Sequence, residues 1–213
     1  MKKDILTSLH GNRIGLGNND ELILRNPLTG QSQVIADLSA ALGAAAGTGV
    51  TAETTGNGLL NKTVVTFADV VIPLADAAGV VAYGGLKFFD APAGLLHVLG
   101  AVANLAVTKS SAGVNDAFDG DFAVGTVTAS NNNTLSSTEA NVIPSTATPQ
   151  AVAGATTAKG VSTAAATLDG TDTANDFYLN FLVDDADHDV TTTPANLIVN
   201  GTITLHWVNL GDK

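Results

Sequence analysis

Cysteine is absent from this chain. No disulfide framework, thiolate metal site or thiol nucleophile is available to it. That absence is compatible with assembly in a reducing cytoplasm. Charge is scarce as well: 14% of residues, against about 25% in a typical soluble domain. Glutamate is limited to Glu21, Glu53 and Glu139. A protein of water-laced helices would carry far more Glu and Lys, so that class is set aside. His10, His97, His188 and His206 are scattered, and none forms a two-histidine ligand spacing. Serines are plentiful, but no Gly-x-Ser-x-Gly elbow is present. Gly47-Thr-Gly49 lacks the Lys and the following helix of a phosphate loop. No catalytic, cofactor-binding or metal-ligating residue is assigned on these grounds, and an enzyme is not expected.

Basic residues are few: 9 Lys and Arg against 20 Asp and Glu, a net charge of −11. The charge is unevenly spread. Residues 1–65 hold five basic and five acidic side chains, whereas 66–213 hold four and fifteen. An acidic body without a basic patch argues against nucleic acid or an anionic membrane surface as partner. Long uninterrupted apolar runs are missing too. The stretch 91–108 has the length of a membrane span, but Pro92, Gly94, His97, Gly100 and Asn104 interrupt it, and it is not read as one. The first ten residues lack the apolar core of a signal peptide.

What the chain does have is Thr, Val, Ala, Asn and 22 glycines. Branched residues favour strands, and Gly and Asn favour turns. The densest apolar segment is 177–210. Phe177, Leu179, Phe181 and Val183 alternate, and so do Ile203, Leu205 and Trp207. Period-two alternation is the mark of a strand. The acidic, Pro-bearing stretch 184–194 separates the two runs, so they are predicted to form a long hairpin in the middle of a sheet. Asn200-Gly201 interrupts the second run. It reads either as a type I′ turn or as a bulge in one long strand, with Gly201 supplying the unusual backbone angle. The three-residue arm before it is short for a strand, which favours the bulge.

The remaining strands are predicted at 61–72 (ended by Pro73), 80–89 (with a bend at Gly84-Gly85), 95–108 (with a possible break at Gly100), 122–128 and 160–167. Residues 47–49 and 54–58, flanking the entry to the main domain, read as linkers and turns. The uncharged stretch 129–159 holds one or two short strands around 142–143 and 151–153, or else an extended surface excursion. The expected fold is all-β: a β-sandwich, jelly-roll-like, of about seven or eight strands over 48–213. Residues 1–47 form a small N-terminal arm, with turns at 16–20 and 26–30, a hairpin of 21–25 and 31–35, and helical turns at 36–42. A lone hairpin is marginal in water, so this arm either lies against something larger or trails as a tail.

Two groups of carboxylates remain: Asp184, Asp185, Asp187 and Asp189 around His188, and Asp116, Asp119 and Asp121. Each could gather oxygens around Ca²⁺. The spacing matches no established calcium loop, so solvated loops are the favoured reading. His97 and His206 fall within strand patterns and read as core or interface histidines.

Several stretches carry a resemblance. Residues 7–16 with Asp20-Glu-Leu-Ile23 are similar to the start of tailed-bacteriophage virion proteins. Residues 122–129, 137–146, 178–189 and 196–203 resemble phage structural proteins of the head-decoration, or capsid cement, type. The resemblance implies a β-sandwich body, no catalysis, a place on the capsid exterior after assembly in the host cytoplasm, and the major capsid protein as partner. The copies are expected to associate as homotrimers, with the arm contacting the shell. The competing expectation is a virion-surface binding module, either a carbohydrate-binding β-sandwich or a head-fibre base.

Overall fold

A computed structural model describes residues 13–16, 22–25, 32–35, 42–56, 60–76, 81–130, 132–189 and 194–211. The chain divides into two compact units, Met1–Leu42 and Gly43–Lys213.

In the smaller unit, β1 (Arg13–Leu16), β2 (Leu22–Arg25) and β3 (Ser32–Ile35) form an antiparallel sheet in that order. Ile14 is opposite Leu24, and Ile23 is opposite Val34. β2 and β3 match the predicted hairpin arms, and β1 is a third strand that was not predicted. The predicted turns at 16–20 and 26–30 and the helical turns at 36–42 fall largely outside the described residues, as does His10.

The larger unit is all-β. Among the described residues its only helical pieces are two 3-10 turns, Ser137–Glu139 and Asp185–Asp187. Its strands are β4 (Ala44–Ala45), β5 (Val50–Gly56), β6 (Leu60–Asp76), β7 (Val81–Asp90), β8 (Gly94–Lys109), β9 (Gly120–Gly125), β10 (Ile143–Thr148), β11 (Ala155–Val161), β12 (Ala166–Gly170), β13 (Asp176–Asp184) and β14 (Ala195–Asn209). They make one antiparallel sheet of order β10-β9-β13-β7-β6-β14-β8-β11, with β12 on β8, β4 on β7 and β5 on β6. Eleven strands replace the seven or eight expected. β5 was not predicted, and its end, 54–56, was read as turn because its Thr and Gly look turn-like, yet β5 pairs with β6 from Val50 opposite Phe67 to Gly56 opposite Asn61. The predicted 160–167 strand is two: β11 ends where it was expected to begin, and β12 takes its far end.

The sheet curls until its ends nearly meet. β10 and β11 lie side by side, close enough that a Cβ on Gly160 would stand 2.8 Å from Phe122 Cζ and 3.0 Å from Ile143 Cγ2. Bulges supply the curvature, because an extra residue bends and twists its strand. In β6 three steps from Phe67 to Val70 face two steps of β14, from Gly201 to Val199. The extra residue sits at Asp69, whose φ is +52°. In β8 the extra residue is Leu99, skipped between Val98 opposite Trp207 and Gly100 opposite His206. In β7 it is Phe88, which allows Phe88 and Phe89 both to be buried.

These bulges revise two readings. Asn200-Gly201 lies in one unbroken strand, but the added residue is on the neighbour. Asn200 holds it there: Asp69 N–H donates to Asn200 Oδ1 at 2.9 Å, and Asn200 Nδ2 donates to Asp69 Oδ1 at 3.0 Å. Gly201 does supply the expected unusual backbone angle, with φ +127°, and it also allows closeness, since a Cβ would come within 2.3 Å of the Asn104 carbonyl oxygen. Pro73 does not end β6, which runs to Asp76. Pro73 lies beyond the reach of β5 and before the Ala75–Tyr83 pairing with β7, on a free edge where its missing N–H costs no ladder bond.

The predicted 177–208 hairpin is also corrected. β13 and β14 are both interior strands, but not each other's partners. β13 pairs with β7 and β9, and β14 pairs with β6 and β8. Both present large residues inward, so each needs full flanking, and they lie on different flanks of the core. That core holds Phe67, Phe88, Phe89, Phe122, Phe177, Phe181, Leu197, Ile203, Leu205 and Trp207, all 2% exposed or less. Phe67 meets Phe88 edge-on at 5.6 Å, and Phe177 stacks on Phe89 at 6.1 Å, the arrangements that ring quadrupoles favour. Trp207 Nε1 donates to Thr63 Oγ1 at 2.9 Å inside the core, which spares a buried donor its desolvation cost.

Candidate functional site

Because side chains alternate along strands, the residues not used by the core form the outer surface. On the β9–β13–β7 flank that surface is roofed. Asn180 and Leu182 point away from the core, yet both are buried. The chain from 126 to 142 folds over them. Leu182, Val81, Ala123, Ala129 and Leu135 make a second small apolar cluster, with Tyr83 and Ala140 packed on it. Asn180 is wholly buried and satisfied on three sides. It accepts from Ala129 N–H at 2.8 Å and donates to the carbonyls of Val127 at 2.9 Å and Glu139 at 2.8 Å. Glu139, also buried, accepts from Ser130 Oγ at 2.6 Å and from the backbone N–H of Ser130 at 2.8 Å and Ser136 at 3.3 Å. Buried polar groups bound this fully rigidify what they hold. Of the two readings of 129–159, the short strand near 142–143 is present as β10, and an isolated bridge joins Val152 to Ala155. The part before β10 is tied down over β13, and neither polar residue was singled out from sequence.

On the β5–β6–β14–β8–β11 flank the surface is open. Register places its outward residues in rows. Thr51, Thr66, Thr202, Asn104 and Lys159 form one, Glu53, Val64, Thr204, Val102 and Val161 the next, and Thr55, Lys62, His206 and Gly100 a third. Leu60, Val71, Leu99, Val102 and Val161 on this flank are exposed. His206 is exposed here too, and His97 pairs with Thr167 Oγ1 at 2.9 Å on the same side, so neither histidine is in the core. At the β10/β11 seam the flank dips into a groove of about 680 Å³ between Val102, Pro144, Thr146, Lys159 and Val161.

The two carboxylate groups read separately from sequence are brought together. β9 pairs with β13, with Gly120 opposite Val183 and Asp121 opposite Leu182, so the start of one strand lies beside the end of the other. Asp119 N–H donates to Asp187 Oδ2 at 3.1 Å, and Asp184 N–H donates to the Asp119 carbonyl at 3.2 Å. Burial first, then the Asp184 and Asp187 charges, push the Asp119 carboxyl above its ordinary pKa. Burial and Asp184 do the same to Asp121. Asp116 turns away to Lys109 at 2.5 Å. His188 pairs by backbone with Val114, and its ring borders a small hollow with Asn115, Asp187 and Asp189. Among the described residues, no group of three or more His, Asp or Glu side chains is arranged to hold a metal ion. Among the same residues, no helix is long and apolar enough to cross a membrane.

No known family, curated protein or solved structure matches this chain.

Proposed function

We propose that this chain is a structural protein of a tailed-phage virion that binds the exterior of the capsid lattice, stabilises the head as a decoration or cement protein, and transforms no substrate. The observation that carries the reading is that a nearly closed, acidic all-β body goes with a separate, smaller unit that carries no net charge. Met1–Leu42 holds four basic and four acidic residues and is neutral, while the rest holds five and sixteen and carries the whole −11. A tightly packed body suits a particle exposed to proteases, and a neutral unit can approach a shell without charge repulsion. Many copies on one lattice add weak contacts by avidity. The partner is the major capsid protein, and the site of action is the virion exterior. A sandwich-type, jelly-roll-like arrangement belongs to the same proposal. It is supported by the way the β13 and β14 flanks face each other across one core and, among the described residues, pair directly where Ala75 and Asp76 meet Tyr83 and Ala82.

Co-sedimentation of the purified chain with undecorated phage capsids tests the reading. Saturable binding at a fixed copy number per capsomer is expected, and removal of residues 1–42, which leaves β4 in the body, should abolish it. A chain that stays in the supernatant at every ratio would end the proposal. Retained occupancy after the deletion would move the contact to the body.

A further inference from the structure

We propose that the bare β5–β6–β14–β8–β11 flank is a self-association surface on which two copies of this chain pack face to face about a two-fold axis parallel to the strands. The first support is charge. The larger unit carries −11, so most of its surfaces repel a second copy. The three central rows of this flank hold one carboxylate, Glu53, and two ammonium groups, Lys62 and Lys159. Asp69 and Asp169 stand toward its two ends. Between the flanking charges lie Val, which gains by being covered, and Thr and Asn, whose hydroxyls and amides can hydrogen-bond to one another across the contact. Val161 is 57% exposed and Val102 49%, so apolar area is there to be covered.

The second support is the placement of those charges. β14 lies in the middle of the flank, with β6 and β5 on one side and β8 and β11 on the other. A two-fold axis along β14 sets β14 against β14 and β5 of one copy against β11 of the other. Glu53 then meets the row next to Lys159 of the facing copy, and the contact is made twice. An axis across the strands would set Glu53 against Glu53 instead. An isologous contact needs a patch that complements itself under one rotation, and this one does under the first axis alone. The expected homotrimer would need two different patches.

Size is sufficient. Three central strands of roughly ten residues and the two seven-residue strands β5 and β11, about 4.8 Å apart with about 3.3 Å per residue, outline on the order of 700 Å² per copy, within the range of a specific interface. Aligned packing of two sheets at a separation of about 10 Å is a standard solution for such faces.

The inference is independent of capsid binding and is tested without capsids. Sedimentation velocity of the full chain at roughly 100 µM, above the µM limit expected for an interface of this size, should give a dimer. Val102→Glu places a carboxylate near the axis and should give a monomer with an unchanged circular dichroism spectrum. Lys159→Glu should weaken the dimer about fivefold, and Glu53→Lys similarly. The double variant Glu53→Lys with Lys159→Glu should restore it to within about twofold of the parent. A monomeric or trimeric parent, or a double variant no tighter than the singles, would overturn the proposal.

Discussion

The roofed and bare flanks start from the same rule and end differently. β13 sends Tyr178, Asn180 and Leu182 outward, and β14 sends Thr202, Thr204 and His206 outward. Over β13 a loop closes down, so an outward polar residue becomes a buried one and must find protein partners. Asn180 finds three. Over β14 none of the described residues of the larger unit closes down, and the hydroxyls of Thr202 and Thr204 have water. Alternation tells which residues leave the core; it does not tell what they meet on the other side. The cost of an outward substitution should therefore differ sharply between the flanks.

The largest difference should come from Asn180→Ala. It leaves Ala129 N–H and two carbonyls without their partner under the roof, and buried unsatisfied groups cost about 1–3 kcal/mol each when they cannot reach water. A loss of roughly 3 kcal/mol in urea unfolding is expected, with faster amide exchange over 126–140. The equivalent change at Thr202 or Thr204 should stay within about 0.5 kcal/mol. If Thr204→Ala cost as much as Asn180→Ala, the bare flank would not be bare.

A glycine pair sharpens the contrast at smaller scale. A Cβ on Gly85 would lie 2.4 Å from Thr128 Oγ1 and 2.5 Å from Asn180 Oδ1, whereas one on Gly100 meets only Ser162 Oγ, at 3.6 Å. Gly85→Ala should destabilise by about 2 kcal/mol through overpacking, and Gly100→Ala should be close to neutral. Thermal unfolding of both variants reads this directly.

The smallest effect belongs to the acidic corner. The folded state raises the pKa of Asp119, so it binds that proton more readily than the unfolded chain does. The resulting stability is fully present below the ordinary carboxyl pKa and is lost as pH rises through the raised value. Asp119→Asn should therefore stabilise the fold at neutral pH, by less than about 1 kcal/mol for a half-buried group still reached by solvent. The gain should fade toward about pH 4. A gain that grows on acidification would contradict the assigned cause.

Much of the fold was legible because alternation is a strong signal. The strands at Phe177–Val183 and Leu197–Val208 and the body of β6, β7 and β8 follow from it, and so does the all-β class. Pairing was not legible. Two strands adjacent in sequence and rich in inward apolar residues look like a hairpin, yet the partners that bury each best come from elsewhere in the chain. The bulge was half legible: Asn200-Gly201 marks its level, but the added residue is Asp69, chosen by a side chain across the ladder. β11 was misplaced because Gly160 reads as a strand boundary, while its role is to let the backbone pass Phe122 and Ile143. Joining the two carboxylate groups required knowing that β9 lies beside β13, which no local spacing reveals.

One consequence concerns synthesis. β14 leaves the ribosome after every strand it must separate, and its slot lies between β6 and β8, made long before. Until it arrives, two strands of 17 and 16 residues stand with an open edge each, a template for pairing with a neighbouring nascent chain. The closing step is thus an insertion rather than an addition, and crowded polysomes are where this architecture is most vulnerable.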